Sequence, residues 1–116
     1  MMSLQGALAA GLVDYPSESI LGSQGWAAET APAVLAASRV VRATMQMTAL
    51  ASIGQPDEVE GITVTARNGY HLLRLQPPPR GARLVFYVWL DREASNLTVT
   101  EQHMKDIVTE FNAPWR

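Results

Sequence analysis

The sequence predicts an α/β domain of the α+β kind, in the order β-hairpin, long helix, three-strand meander and final helix. Three observations predict it: a helical pattern of apolar residues from Thr30 to Ile53, an Asn68-Gly69 pair between alternating runs, and a run from Ala82 to Leu90 that is apolar on both alternations. The 116 residues suit one domain over positions 1–116, since a second core would need more chain than remains after the first is built.

Taken in order, Gly6 to Tyr15 is small and apolar, Pro16-Ser17 marks a turn, and Glu18 to Ser23 runs back as a second strand. A helix over the first run is disfavoured by Gly6 and Gly11, each costing about 1 kcal/mol inside one. The long helix starts with Thr30 as N-cap and Pro32 in the first turn, and Gly54 with Pro56 stops it. Its helical wheel gathers Ser38, Arg39, Arg42 and Gln46 into one polar stripe. Val34, Ala36, Val40, Val41, Ala43, Met45, Met47 and Leu50 cover most of the rest. That apolar arc exceeds what one sheet face needs: either small Ala residues merely broaden it, or, the reading favoured here, one flank meets a second protein chain.

Asn68-Gly69 is the favoured two-residue type I′ hairpin turn. Counting outward pairs Ala66 with His71, Val64 with Leu73 and Ile62 with Leu75 on one face, and Arg67 with Tyr70, Thr65 with Leu72 and Thr63 with Arg74 on the other. In the next strand Leu84, Phe86, Val88 and Leu90 alternate with Val85, Tyr87 and Trp89, which predicts a central position covered on both sides. The meander therefore has its first strand towards an edge. Pro77-Pro78-Pro79 with Arg80-Gly81 forces a loop between its last two strands. Thr98-Val99-Thr100-Glu101 fits a capping box. It opens a helix with Met104, Ile107, Val108 and Phe111 inside and Lys105, Asp106 and Glu110 outside, ended by Pro114.

Composition excludes several classes. Nine basic residues against eleven acidic ones are scattered at Arg39, Arg42, Arg67, Arg74, Arg80, Arg83, Arg92, Lys105 and Arg116, so no stripe of cations awaits a nucleic acid. No cysteine is present, which rules out disulfides and thiolate metal sites. The apolar stretch near the N-terminus has no Lys or Arg before it, and the run Leu84 to Leu90 is too short to span a bilayer; a cytoplasmic protein is expected. Asn96-Leu97-Thr98 is then a glycosylation sequon by coincidence.

Catalytic machinery is equally hard to assemble. No glycine is followed by Lys, which excludes a P-loop, and Gly22-Ser23-Gln24-Gly25 reads as the end of a strand. His71 and His103 lack a second ligand or orienting carboxylate at useful spacing, so the first reads as a strand residue beside an edge and the second as a solvated helix residue. Ser17, Ser19, Ser23, Ser38, Ser52 and Ser95 sit in no nucleophile elbow. Asp57, Glu58 and Glu60 form a solvated acidic connection, and Trp26 and Trp115 are either partner anchors or hydrophobic plugs. No catalytic, cofactor-binding or metal residue is assigned and no cofactor is expected; a small-ligand sensor remains the alternative, with Trp89, Tyr87 and Phe86 lining an apolar pocket.

The run Gly6-Ala7-Leu8-Ala9-Ala10-Gly11-Leu12-Val13-Asp14-Tyr15, the meander from Ile62-Thr63-Val64 to Tyr70-His71-Leu72-Leu73-Arg74-Leu75, and the link from Leu90-Asp91-Arg92 to Asn96-Leu97 resemble short bacterial members of the Roadblock family. These are relatives of the dynein light chain called roadblock and of bacterial regulators of small Ras-like GTPases. The resemblance covers nearly the whole chain and rests on apolar positions rather than one diagnostic motif. It implies an antiparallel five-stranded sheet of profilin-like type, with the long helix on one face and the C-terminal helix on the other. It also implies a non-enzymatic signalling adaptor that forms a homodimer and binds a small Ras-like GTPase or an associated protein. In such dimers the long helices pack together and the following strands pair. That assigns the interface here to Ala36, Val40, Ala43, Met47 and Leu50 with Ile62, Thr63, Val64, Thr65 and Arg67. In one respect the chain departs from the pattern: members usually begin with a helix, and only Met1–Gln5 precede the first strand, so the final helix is expected to lie alone on its face.

Overall fold

The computed structural model describes residues 6–25, 30–51, 59–76 and 84–111. Five strands, β1 (Ala7–Asp14), β2 (Ser19–Gly25), β3 (Gly61–Thr65), β4 (Gly69–Leu75) and β5 (Leu84–Asp91), form one antiparallel sheet in the order β2-β1-β5-β4-β3. Helix α1 (Thr30–Ala51) packs over β1, β2 and β5, and α2 (Leu97–Phe111) packs on the other face against β4. The expected fold is therefore the observed one, with β5 central and β3 at an edge. The proline loop and the acidic connection at Asp57 and Glu58 lie outside the described residues, as do Trp26 and Trp115.

Strand alternation divides the core in two. Val13, Leu73, Leu75, Val85 and Tyr87 meet Val34, Ala37 and Val41 of α1. Ala10, Leu72, Phe86, Val88 and Leu90 meet Met104 and Val108 of α2. At Gly11 β1 comes close to α1, and a Cβ there would stand 2.6 Å from Val34 Cγ1, well inside van der Waals contact.

Three local expectations are corrected. Ser38 is fully buried rather than part of a polar stripe, because its hydroxyl donates to the Leu35 carbonyl at 2.7 Å and so carries no unmet polar demand into the core. Arg39, Arg42 and Gln46 remain outside.

The β3–β4 register is displaced. Thr65 pairs with Tyr70, Val64 with His71 and Ile62 with Leu73, and the Ala66 amide donates to the Gly69 carbonyl at 2.8 Å. The turn residues are thus Arg67-Asn68, and the left-handed residues among those described are Gly6 (φ 83°) and Glu18 (φ 57°), so no type I′ turn forms at Asn68-Gly69. The reason is tertiary: Gly69 belongs to β4, where a Cβ would lie 2.9 Å from the Leu90 carbonyl oxygen and 3.0 Å from Trp89 Nε1. Each partner moves by two residues, an even slip that leaves every side chain on its expected face.

At the start of α2, Asn96 rather than Thr98 is the cap. Its Oδ1 accepts from the Val99 amide at 3.1 Å, and its carbonyl accepts from the Thr100 amide and hydroxyl at 3.0 and 2.8 Å. The first helical residue is accordingly Leu97.

Candidate functional site

The 3.6-residue period that buries Val34, Ala37, Ser38 and Val41 turns Ala36, Val40, Ala43 and Met47 outward as one row. Met47 is 65% exposed, far more than a methionine holding a core together. Leu50 continues the row in sequence, but its side chain lies outside the described residues.

On the same side of the sheet, β3 presents Val64, 40% exposed, and Ile62, half-buried against the α1-side core. Thr63 and Thr65 are exposed on the opposite side, and Arg67 is exposed at the turn. The assigned residues thus form an apolar helix row, two apolar β3 positions on that helix's side, and two threonines on the other side. The outer side of β3 pairs with no other strand among the described residues.

Behind Val64 stands an aromatic stack that sequence reasoning did not assemble. His71 pairs with Val64 across the ladder. Its ring stacks on Trp89 with centroids 5.3 Å apart, and its Nδ1 lies 2.7 Å from the Tyr87 hydroxyl. Burial lowers the His71 pKa from 6.5 and pushes the Tyr87 phenol up, so at neutral pH a neutral imidazole and a protonated tyrosine share this hydrogen bond, with the donor set by the imidazole tautomer. The signal was present in the alternation, since His71, Tyr87 and Trp89 share one face of adjacent strands. No carboxylate orients the imidazole among the hydrogen bonds described, and the stack reads as packing, not as an acid–base pair. His103 is exposed on α2, and among the described residues no group of three His, Asp or Glu could hold a metal ion.

The pocket expected from Trp89, Tyr87 and Phe86 does not form from those residues together. Phe86 and Tyr87 are both buried and point to opposite faces of β5, one into each core cluster. Two grooves lie elsewhere. One of about 570 Å³ is lined by Glu60, Thr63, Arg74, Glu101 and Met104, and another of about 590 Å³ by Arg67, Tyr70 and Arg92. Most of the exposed surface in both is polar, although Val59, Ile62, Leu72 and Leu73 also border the first, and both are open grooves rather than enclosed apolar sites. Among the described residues, no helix is long and apolar enough to cross a membrane.

This sheet order, with the long helix on one face and the C-terminal helix on the other, is the Roadblock/LC7 fold. Two bacterial proteins that share it are the Roadblock/LC7 domain from Streptomyces avermitilis and MglB from Myxococcus xanthus. The first superposes with a TM-score of 0.72 at 17% identity, over 90% of this chain and 82% of that one. The second does so with a TM-score of 0.73 at 20% identity, over 90% and 80%. The gliding protein MglB from Thermus thermophilus gives a TM-score of 0.72 at 16% identity, over 92% and 76%. No protein-family profile matches the sequence, and no curated protein matches it.

Proposed function

We propose that the chain acts as a homodimeric, non-catalytic adaptor in which two copies pair through α1 and β3, and that the assembled surface binds or modulates a small Ras-like GTPase or an associated signalling protein. The observation that carries this reading is the outward row Ala36, Val40, Ala43 and Met47, which stands on the same side of the sheet as Val64 of the edge strand β3. A row of that kind on a small domain is stabilised by covering it, at about 25 cal/mol for each Å² of apolar surface removed from water. A second copy supplies matching apolar residues by symmetry. The Roadblock/LC7 fold and the resemblance to bacterial regulators of Ras-like GTPases support the choice of partner class.

Light scattering of the purified chain tests the dimer: twice the chain mass is expected. Val40→Glu with Met47→Glu should give monomers or insoluble protein, because each introduced carboxylate would be buried without a partner. A single chain persisting at high concentration retires the dimer. Absence of both binding and altered GTP turnover with Ras-like GTPases retires the partner class.

A further inference from the structure

The opposite edge of the sheet is formed by β2. β2 is exposed along its whole length, and its outer side pairs with no strand among the described residues. Edge strands are usually blunted by charge, proline or distortion. The segment Ser19–Gly25 has neither a charged residue nor a proline, and it exposes Ile20 and Leu21, the latter 56% accessible. Its one irregularity is a bulge at Leu21, where Leu12 pairs with Gly22 and Val13 with Ile20.

The charge at one end of this edge is unbalanced. Glu18, immediately before β2, receives Arg39 Nε at 3.1 Å and Arg42 at 3.6 Å, so two guanidiniums share one carboxylate. Arg42 is further held by the Tyr15 and Pro16 carbonyls, whereas the Arg39 side chain is 70% exposed. On the α1 side of this edge Arg39 is thus the more exposed of two guanidiniums that share one carboxylate, while Asp14, which pairs with Ser19, follows Ala10 and Leu12 towards the other face.

We propose that the outer edge of β2 takes up an extended segment of a partner protein as an antiparallel sixth strand. The apolar side chains of that segment cover Ile20 and Leu21, and an acidic residue near its C-terminal end meets Arg39. Antiparallel addition continues the pattern of this sheet and brings the segment's C-terminal end to Ser19. The bulge argues against a second copy of β2 as the occupant. Pairing two copies about Gly22 would oppose Leu21 with the partner's Ser23, and Ser23 with the partner's Leu21, bringing two kinks into neighbouring rungs. A straight foreign strand meets only one. Because β2 and β3 lie at opposite ends of the sheet, this inference stands or falls apart from the proposed dimer.

The test is selection of phage-displayed random peptides on the full-length protein, followed by binding of the selected peptides in solution. Selected sequences should alternate apolar residues and carry Asp or Glu near the C-terminal end, and their binding should slow amide exchange in β2. Arg39→Glu should weaken binding about fivefold, the upper range of an exposed ion pair, and replacing the peptide acid by Lys should restore it. Arg39 is at the surface, so the variant keeps the fold, and circular dichroism checks this. The proposal is overturned if no peptide is enriched, if protection falls elsewhere, or if the charge swap has no effect. It is also overturned if the protein alone self-associates with protection of β2, which would assign the edge to a second copy.

Discussion

Gly11 of β1 lies so close beneath Val34 of α1 that no methyl group fits between them. Gly11→Ala should therefore lower stability by about 1–3 kcal/mol through overpacking. Val34→Ala should lower it as well, by emptying a fully buried site. In urea titrations the double variant should lose less than the sum of the two, because the methyl added on one side occupies space vacated on the other. Strict additivity would mean that helix and strand do not touch there.

The His71 pKa, lowered by burial, makes stability depend on pH in a defined direction. Below the unfolded value of 6.5 and down to the lowered folded value, the unfolded chain binds more protons than the folded one. The contribution of neutral His71 is thus fully present above 6.5 and is lost as pH falls beneath it. Urea midpoints measured above and below that point should show the slope, and His71→Gln should flatten it; an unchanged slope in the variant would remove His71 as its source.

Asn96→Ala should cost about 1 kcal/mol, the usual worth of a helix cap, whereas Thr98→Ala should stay within about 0.5 kcal/mol. Thermal melts of the two variants separate the observed cap from the capping box that the sequence suggests.

Ser38→Ala should be close to neutral, since the hydroxyl bonds only to a carbonyl of its own helix. Ser38→Asp should be strongly destabilising by burying a charge. If the alanine variant loses several kcal/mol, the hydroxyl has a partner beyond Leu35.

The elements themselves were legible because period is a direct imprint of burial: Val34 and Val41 recur at helical spacing, as do Met104 and Val108, and Val85 to Leu90 is apolar on both sides. What failed was local chemistry decided by distant neighbours. Ser38 is polar by type and buried by circumstance. Gly69 follows Asn68 in the favoured turn pair, yet its missing side chain serves the approach of Leu90 and Trp89. Asn96 took the cap two residues before the Thr-Glu pattern. The outward row on α1 was visible as an excess of apolar residues, whereas Ala37, the small residue that lets the helix sit down, carries no mark that separates it from Ala36. The second strand was legible, but the place of Arg39 beside it was not, because Glu18 and Arg39 are brought together only by the turn and the helix packing above it.

The central place of β5 sets the order in which the molecule can be completed. Leu12 pairs with Phe86 and Leu72 with Val88, so the hairpin made first and the one made later share no border until β5 arrives between them. During synthesis each half must wait with one side uncovered, and closure is a late event spanning most of the polypeptide, which places the folding rate among those of chains rich in long-range contacts.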